Sequence, residues 1–196
     1  MMNPHENSVP GRPRVSAFIA MSLDGFIARE DGGIDWLEAY NGRLPQGEDC
    51  GYGAFFSQVD VLVLGRASFE KVLGFPEWPF GTKPVVVMSS RPTQVAIPES
   101  LRASVSVTAE RPQVLLERLS KEGFSHVYLD GGKTIQSFLR EGLVDQLIVT
   151  VIPVLIGKGR PLFGELPRDQ GLKLCRSRSY EFGFVQLTYE PERPIS

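Results

Sequence analysis

Apolar residues in this chain come in short runs, and the spacing between them switches repeatedly from that of a strand to that of a helix. Residues 15–21 (VSAFIAM) form a run of strand length that ends at the turn chemistry of Ser22-Leu23-Asp24-Gly25. The loop that follows, through Asp31-Gly32-Gly33 to Trp36, is polar and glycine-rich, with apolar residues at intervals that suit a lid over a ligand. Residues 54–59 read as a short helix before a second strand at 61–64, and after Gly65-Arg66 helical spacing resumes over 67–73. A third buried strand, 85–88, opens after Lys83-Pro84 and stops at Ser89-Ser90-Arg91-Pro92. A weaker strand at 103–108 precedes a helix over 113–122 that places Val114, Leu115 and Leu119 on one face.

The next strand, 126–129, runs through Asp130-Gly131-Gly132 into a helix whose Ile135, Phe138 and Leu139 share a face and whose stop is Gly142. After a strand at 147–152, the segments 173–179 and 184–190 follow with no helix between them, which predicts an antiparallel edge. Strands alternating with helices predict βαβ crossovers and a mainly parallel mixed sheet covered on both faces, an α/β fold. Residues 1–13, polar and proline-rich, are expected to be a loose tail, and 14–192 a single domain.

Composition removes several classes of function. The net charge is −2 with lysine and arginine spread along the chain, so no basic block is present to bind nucleic acid. No apolar stretch reaches the ~20 residues of a membrane helix and the start lacks a signal-peptide pattern, so a cytoplasmic protein without membrane contact is expected. Cys50, Cys175 and the two histidines lack zinc-ligand spacing, so free thiols and no metal site are expected.

Candidate chemistry gathers where strands end, because ligands of open α/β sheets sit outside the carboxyl ends of the strands. Leu64-Gly65-Arg66 and Leu129-Asp130-Gly131-Gly132 each pass directly from strand to helix, aiming backbone N–H groups and a positive dipole end outward. Both suit phosphate, with Ser68, Lys133 and Thr134 adding donors in the first turn. Ser89-Ser90-Arg91 offers two hydroxyls and a guanidinium to a further phosphate, the group that distinguishes NADPH from NADH. Two motifs mislead. Gly131-Gly132-Lys133-Thr134 imitates the end of a P-loop but has Val127 where the first glycine belongs, and Gly157-Lys158-Gly159 begins a Rossmann fingerprint that Pro161 and Leu162 break.

The stretches SAFIAMSLDGFIA (16–28), VDVLVLGRASFE (59–70), KPVVVMSSRP (83–92), VYLDGGKTIQSFL (127–139) and VDQLIVTVIPVLIGKGRPLF (144–163) together resemble the dihydrofolate reductase superfamily, in its riboflavin-biosynthesis reductase branch. The resemblance implies a dihydrofolate reductase-like three-layer α/β/α domain and an NADPH-dependent oxidoreductase that reduces a C=N or C=O group of a small heterocyclic or ribosylaminopyrimidine-like substrate. Dihydrofolate reductase proper and a non-catalytic NADP-binding regulator are the alternatives. Carried over by position, it puts Ala20 and Ile27 beside the nicotinamide under a lid of residues 21–36. Gly65, Arg66 and Ser68 would hold the adenosine-side phosphates, Ser89, Ser90 and Arg91 the 2′-phosphate, and Gly131, Gly132, Lys133 and Thr134 the pyrophosphate. Asp24, Trp36 and Tyr52 are expected at the substrate. Asp49 is expected either to be a buried carboxyl of raised pKa that passes the substrate a proton or to cap the helix starting near Tyr52. A homodimer is expected through the apolar segments 148–155 and 157–163, which are more hydrophobic than a sheet edge should expose.

Overall fold

The computed structural model describes residues 11–192. The expected loose tail lies outside them up to residue 10, whereas residues 11–13 are held to the domain: the Arg12 guanidinium donates twice to Asp145, each bond 2.8 Å. Along the chain the elements are β1 (Arg14–Ser22), β2 (Phe26–Ala28), α1 (Asp35–Asn41), α2 (Tyr52–Phe56), β3 (Val61–Gly65), α3 (Arg66–Leu73), β4 (Val85–Met88) and β5 (Val105–Thr108). They continue with α4 (Pro112–Lys121), β6 (His126–Asp130), α5 (Gly132–Arg140), β7 (Gln146–Ile152), β8 (Arg160–Pro161), β9 (Leu172–Ser179) and β10 (Val185–Pro191).

Eight strands form one sheet in the order β5, β4, β3, β6, β1, β7, β10, β9. The first six run parallel, and β10 and β9 close the far edge antiparallel. Strands buried on both faces must be apolar at every position, and β3 shows the pattern. Its Val61 and Val63 pack with Leu115, Leu119, Ile135 and Phe138 of α4 and α5 on one face. Its Leu62 and Leu64 pack with Phe55, Phe69 and Val72 of α2 and α3 on the other. The result is the expected three-layer α/β/α arrangement of a dihydrofolate reductase-like fold. β2 and β8 pair as a small ribbon outside this sheet.

Three expectations need correction. The helix read at 54–59 lies at Tyr52–Phe56, because the Asp49 carboxylate accepts the N–H groups of Gly51 and Gly53 and starts it early. The lid is not loop throughout: its end carries α1, anchored by Trp36, which is buried against Ile152, Tyr180 and Phe184. The apolar 148–155 segment is not a sheet edge, since β7 is paired on both sides and Leu147, Val149 and Ile152 are buried.

At the end of the sheet where β6 begins, His126 is held between the Ser16 hydroxyl, 2.8 Å from Nε2, and the Gln58 carbonyl, 3.0 Å from Nδ1. Nδ1 faces a carbonyl and so carries the hydrogen, and in the neutral ring Nε2 accepts from Ser16. Burial is the main cause that lowers its pKa below the ordinary 6.5. A depressed folded-state pKa gives stability that is fully present above 6.5 and is lost as the pH falls through the folded value. Thermal melts from about pH 7.5 to 5.5 are therefore expected to show a fall in Tm for the wild type that His126→Gln flattens. Parallel profiles would remove His126 as the cause.

Candidate functional site

A cavity of about 1530 Å³ runs along the carboxyl ends of β5, β4, β3, β6, β1 and β7 and reaches Phe184 before β10. It is the crevice that the topology dictates: parallel strands deliver their turns and helix N-termini to one side of the sheet. All twelve residues expected at the cofactor line it, from Ala20 and Ile27 through Gly65, Arg66, Ser68, Ser89, Ser90 and Arg91 to Gly131, Gly132, Lys133 and Thr134.

The two glycine turns are built into each other. Gly131 has φ +94°, and a Cβ there would collide with the Ser68 hydroxyl of α3. In return, a Cβ on Gly65 would stand 2.9 Å from the Thr134 hydroxyl of α5. Each turn thus leaves room for the first-turn hydroxyl of the other helix, and the unbonded N–H groups of both N-termini open into one cradle. A Cβ on Gly132 would stand 3.0 Å from Ile27 and from the Pro161 carbonyl, so the β2 and β8 ribbon closes over the same spot. The Gly-Gly and Gly-Arg turns suit a diphosphate because glycine at these positions lets the two helix N-termini pack against each other, so that both line one part of the cavity.

Beyond the cradle, the ends of β4 and β5 carry positive charge. Ser89 closes the turn by accepting the Arg91 N–H at 3.1 Å, and the exposed Arg91 faces the cavity together with Lys71 and Arg111. Arg66 is half engaged by Glu70 at 3.5 Å.

The other half of the cavity is formed by β1, β7, α1 and the segment leading into α2. Tyr52 lines it, in edge contact with Phe18 at 5.5 Å. Asp49 also lines it, but as an exposed group. The N–H groups of Gly53 and Gly51, at 2.7 and 2.8 Å, hold its carboxyl below the ordinary range. The expected burial and raised pKa are absent, because both oxygens are spent on the helix N-terminus. A different carboxyl has those properties. Asp130, at the end of β6, faces the cavity beside Tyr52 and Tyr128 and is pushed up to about 6 by burial, against the Gly131 N–H that lowers it. The Tyr52 phenol is pushed up to about 12, chiefly by burial and then by the negative charge of Asp130. Residue order gave one hint that Asp130 mattered: a carboxylate placed last on a central strand before Gly-Gly.

Two expected substrate residues lie elsewhere. Asp24 accepts the Ser22 hydroxyl at 2.5 Å and the N–H groups of Ile156 and Gly157 at 3.1 and 2.7 Å, which clasps the first turn of the lid to the loop after β7. The misleading Gly157-Lys158-Gly159 motif is part of that clasp. Trp36 is 4% exposed and belongs to the packing under α1, off the cavity wall. Sequence reasoning also missed Thr150 of β7, buried on the wall with its oxygen accepting from Gln186 at 3.1 Å. No helix among the described residues is long and apolar enough to cross a membrane.

Comparison with known proteins gives concordant matches. The sequence model of the RibD C-terminal domain matches residues 13–185. YwjB of Bacillus subtilis strain 168, an uncharacterized protein, is 38% identical over 176 residues, covering 88% of this chain and 94% of its own length. A crystal structure from Shewanella sp. PV-4, described as a riboflavin biosynthesis protein, superposes with a TM-score of 0.84 at 37% identity over 92% of this chain and 99% of that one. The diaminohydroxyphosphoribosylaminopyrimidine deaminase/5-amino-6-(5-phosphoribosylamino)uracil reductase of Thermotoga maritima shares the fold, with a TM-score of 0.70 at 14% identity over 92% of this chain and 57% of its own.

Proposed function

The chain belongs to the RibD C-terminal domain family, and we propose that it is an NADPH-dependent reductase that delivers a hydride to a C=N or C=O group of a small heterocyclic substrate. The observation that carries this reading is the single cavity that joins an interlocked phosphate cradle to a carboxyl raised to about 6. In it, Gly131, Gly132, Lys133 and Thr134 hold the pyrophosphate, Gly65, Arg66 and Ser68 the adenosine side, and Ser89, Ser90 and Arg91 the 2′-phosphate. Bound NADPH supplies the hydride; the protein supplies position and a proton. Ala20 and Ile27 set the plane of the nicotinamide. Asp130, raised to about 6, keeps a protonated fraction near neutral pH and passes that proton to the nitrogen or oxygen on which negative charge develops. Tyr52 stays protonated and donates a hydrogen bond from the same wall.

Calorimetric titration of the full chain with NADPH and NADH, followed by a screen of cyclic imines and carbonyl compounds for loss of the reduced-nicotinamide absorbance, tests the reading. One NADPH site with weaker NADH binding, and turnover with at least one acceptor, is expected. A chain that binds neither cofactor is no reductase of this kind.

The same protein is proposed to act as a homodimer through β9 and β10. Every residue of β9 is exposed, its outer edge has no strand partner among the described residues, and Leu174 and Val185 are 50% and 38% exposed. An edge strand bare on both faces and carrying leucine is an invitation to pair unless another subunit covers it. Light scattering at micromolar concentration is expected to give twice the chain mass, and Leu174→Lys the chain mass. A monomeric wild type would refute the dimer.

A further inference from the structure

We propose that the substrate of this site carries no phosphate and is a neutral or cationic molecule with an apolar or aromatic body. The inference rests on the reductase reading above and takes it further, to the chemistry of the compound reduced.

The cavity's cations are confined to one part of its wall, which also carries the carboxylates Glu110 and Asp130. Arg66, Lys71, Arg91, Arg111 and Lys133 line it, and all five lie on α3, on the first turn of α5 or in the turns after β4 and β5, the half assigned to the cofactor. A sixth, Arg160, lies on β8 with its guanidinium held on the lid, packed against Gly32 and donating from Nε to the Glu30 carbonyl at 3.2 Å, while the carbonyl of the adjoining Pro161 abuts Gly132 of the cradle. Among the described residues, no lysine or arginine lines the half bounded by α1, β7 and the segment before α2. That half is walled by Leu37, Leu44, Ile152 and Phe184, with the hydroxyl of Thr150 as a buried polar group.

Its charges are negative. Glu48 and Asp49 both line it. Asp49 stays ionised, since the N–H groups of Gly53 and Gly51 favour its charged form. Two nearby cations are off the cavity wall and engaged. Arg178 pairs with Glu48 at 3.6 Å while lying 4.3 Å over the Tyr180 ring, and Arg43 lies 4.6 Å over Tyr40. A phosphate in this half would lose its water to leucine, isoleucine and phenylalanine, find no cation on the wall, and face a fixed carboxylate. A neutral ring or a cation meets none of these penalties, and the aromatic side chains of Phe184 and Tyr52 offer it surface.

The test uses the full chain saturated with NADP⁺, which occupies the cationic half. Binding is measured by calorimetry for 6-(ribosylamino)uracil, its 5′-phosphate and 4-aminoquinazoline. At least one of the two phosphate-free probes is expected to bind at least about tenfold more tightly than the phosphate. Leu44→Lys, which sets an ammonium on the apolar wall, is expected to raise affinity for the phosphate by a similar factor, an effect that exclusion by size alone would not give. Equal or tighter binding of the phosphate by the wild type, or no binding of any probe at millimolar concentration, overturns the proposal while the NADP⁺ titration leaves the reductase reading standing. Failure of NADP⁺ itself to bind brings down both.

Discussion

Asp130→Asn is expected to slow hydride transfer from NADPH by ~10²–10⁴-fold at neutral pH, the range in which general acids contribute. Delivery of a hydride to C=N or C=O leaves an electron pair on nitrogen or oxygen that a proton must meet, and Asp130 is the carboxyl on the cavity wall whose pKa, about 6, lets it keep that proton near the working pH. Asparagine preserves the shape and can still accept the Gly131 N–H, so the fold at the end of β6 is retained. NADPH should bind the variant no more weakly, because a negative charge beside the phosphate cradle has been removed. The pH profile gives a second readout: the wild-type rate is expected to fall as the pH rises through about 6 and the acid loses its proton, and the variant to lack that limb. Asp49→Ala is the contrast, expected to cost about 1 kcal/mol of stability as a lost helix cap while leaving the single-turnover rate within about twofold. A rate for Asp130→Asn within the same twofold would remove it from the mechanism.

Arg91→Ala is expected to weaken NADPH roughly tenfold or more and to leave NADH unchanged. Only NADPH carries a 2′-phosphate, and charge-assisted hydrogen bonds to such a group are worth ~1.5–3 kcal/mol. Arg91 stands exposed at the end of β4, its backbone N–H already fixed by Ser89, so the turn keeps its form when the side chain is cut back. Lys71 and Arg111 line the same part of the cavity and would retain some attraction, which keeps the loss from being total. Titration of both cofactors decides the point: equal losses would mean that Arg91 holds a phosphate common to the two.

Much of this architecture was legible in the residue order because parallel strands covered on both faces write themselves as unbroken apolar runs. VLVL at 61–64 and VVV at 85–87 have few other ways to be satisfied. The glycine turns were legible for a related reason, as each sits where a side chain would strike the neighbouring helix. What stayed hidden depends on contacts remote in sequence. α1 has seven residues and no side-chain cap at Ile34, so nothing local announces it; it exists because Trp36 packs under Tyr180 and Phe184 from the far end of the chain. Asp49 and Asp130 show the same limit in chemical form. Both precede a glycine at a turn, yet one is spent on two backbone N–H groups and the other is enclosed near two tyrosines, a difference made by their neighbours in space. Asp24 looked like site chemistry but is bound up in a clasp, because its partners, Ile156 and Gly157, come from the loop after the adjacent strand β7, far along the chain.

The position of β1 has a consequence for how the molecule comes into being. Synthesised before the other strands of the sheet, its VSAFIAM segment has no partner among the elements that directly follow: Val15 waits for Val127 of β6 and Ala17 for Leu147 of β7. Such long-range closure slows folding, since chain entropy must be given up before the contacts that reward it can form. Both edges of this apolar strand are open until β6 has been synthesised, and one stays open until residue 152, which exposes the nascent chain to mispairing during translation. A fragment ending earlier would leave β1, a wall of the cavity, unpaired on one side, so the cavity is completed late and all at once.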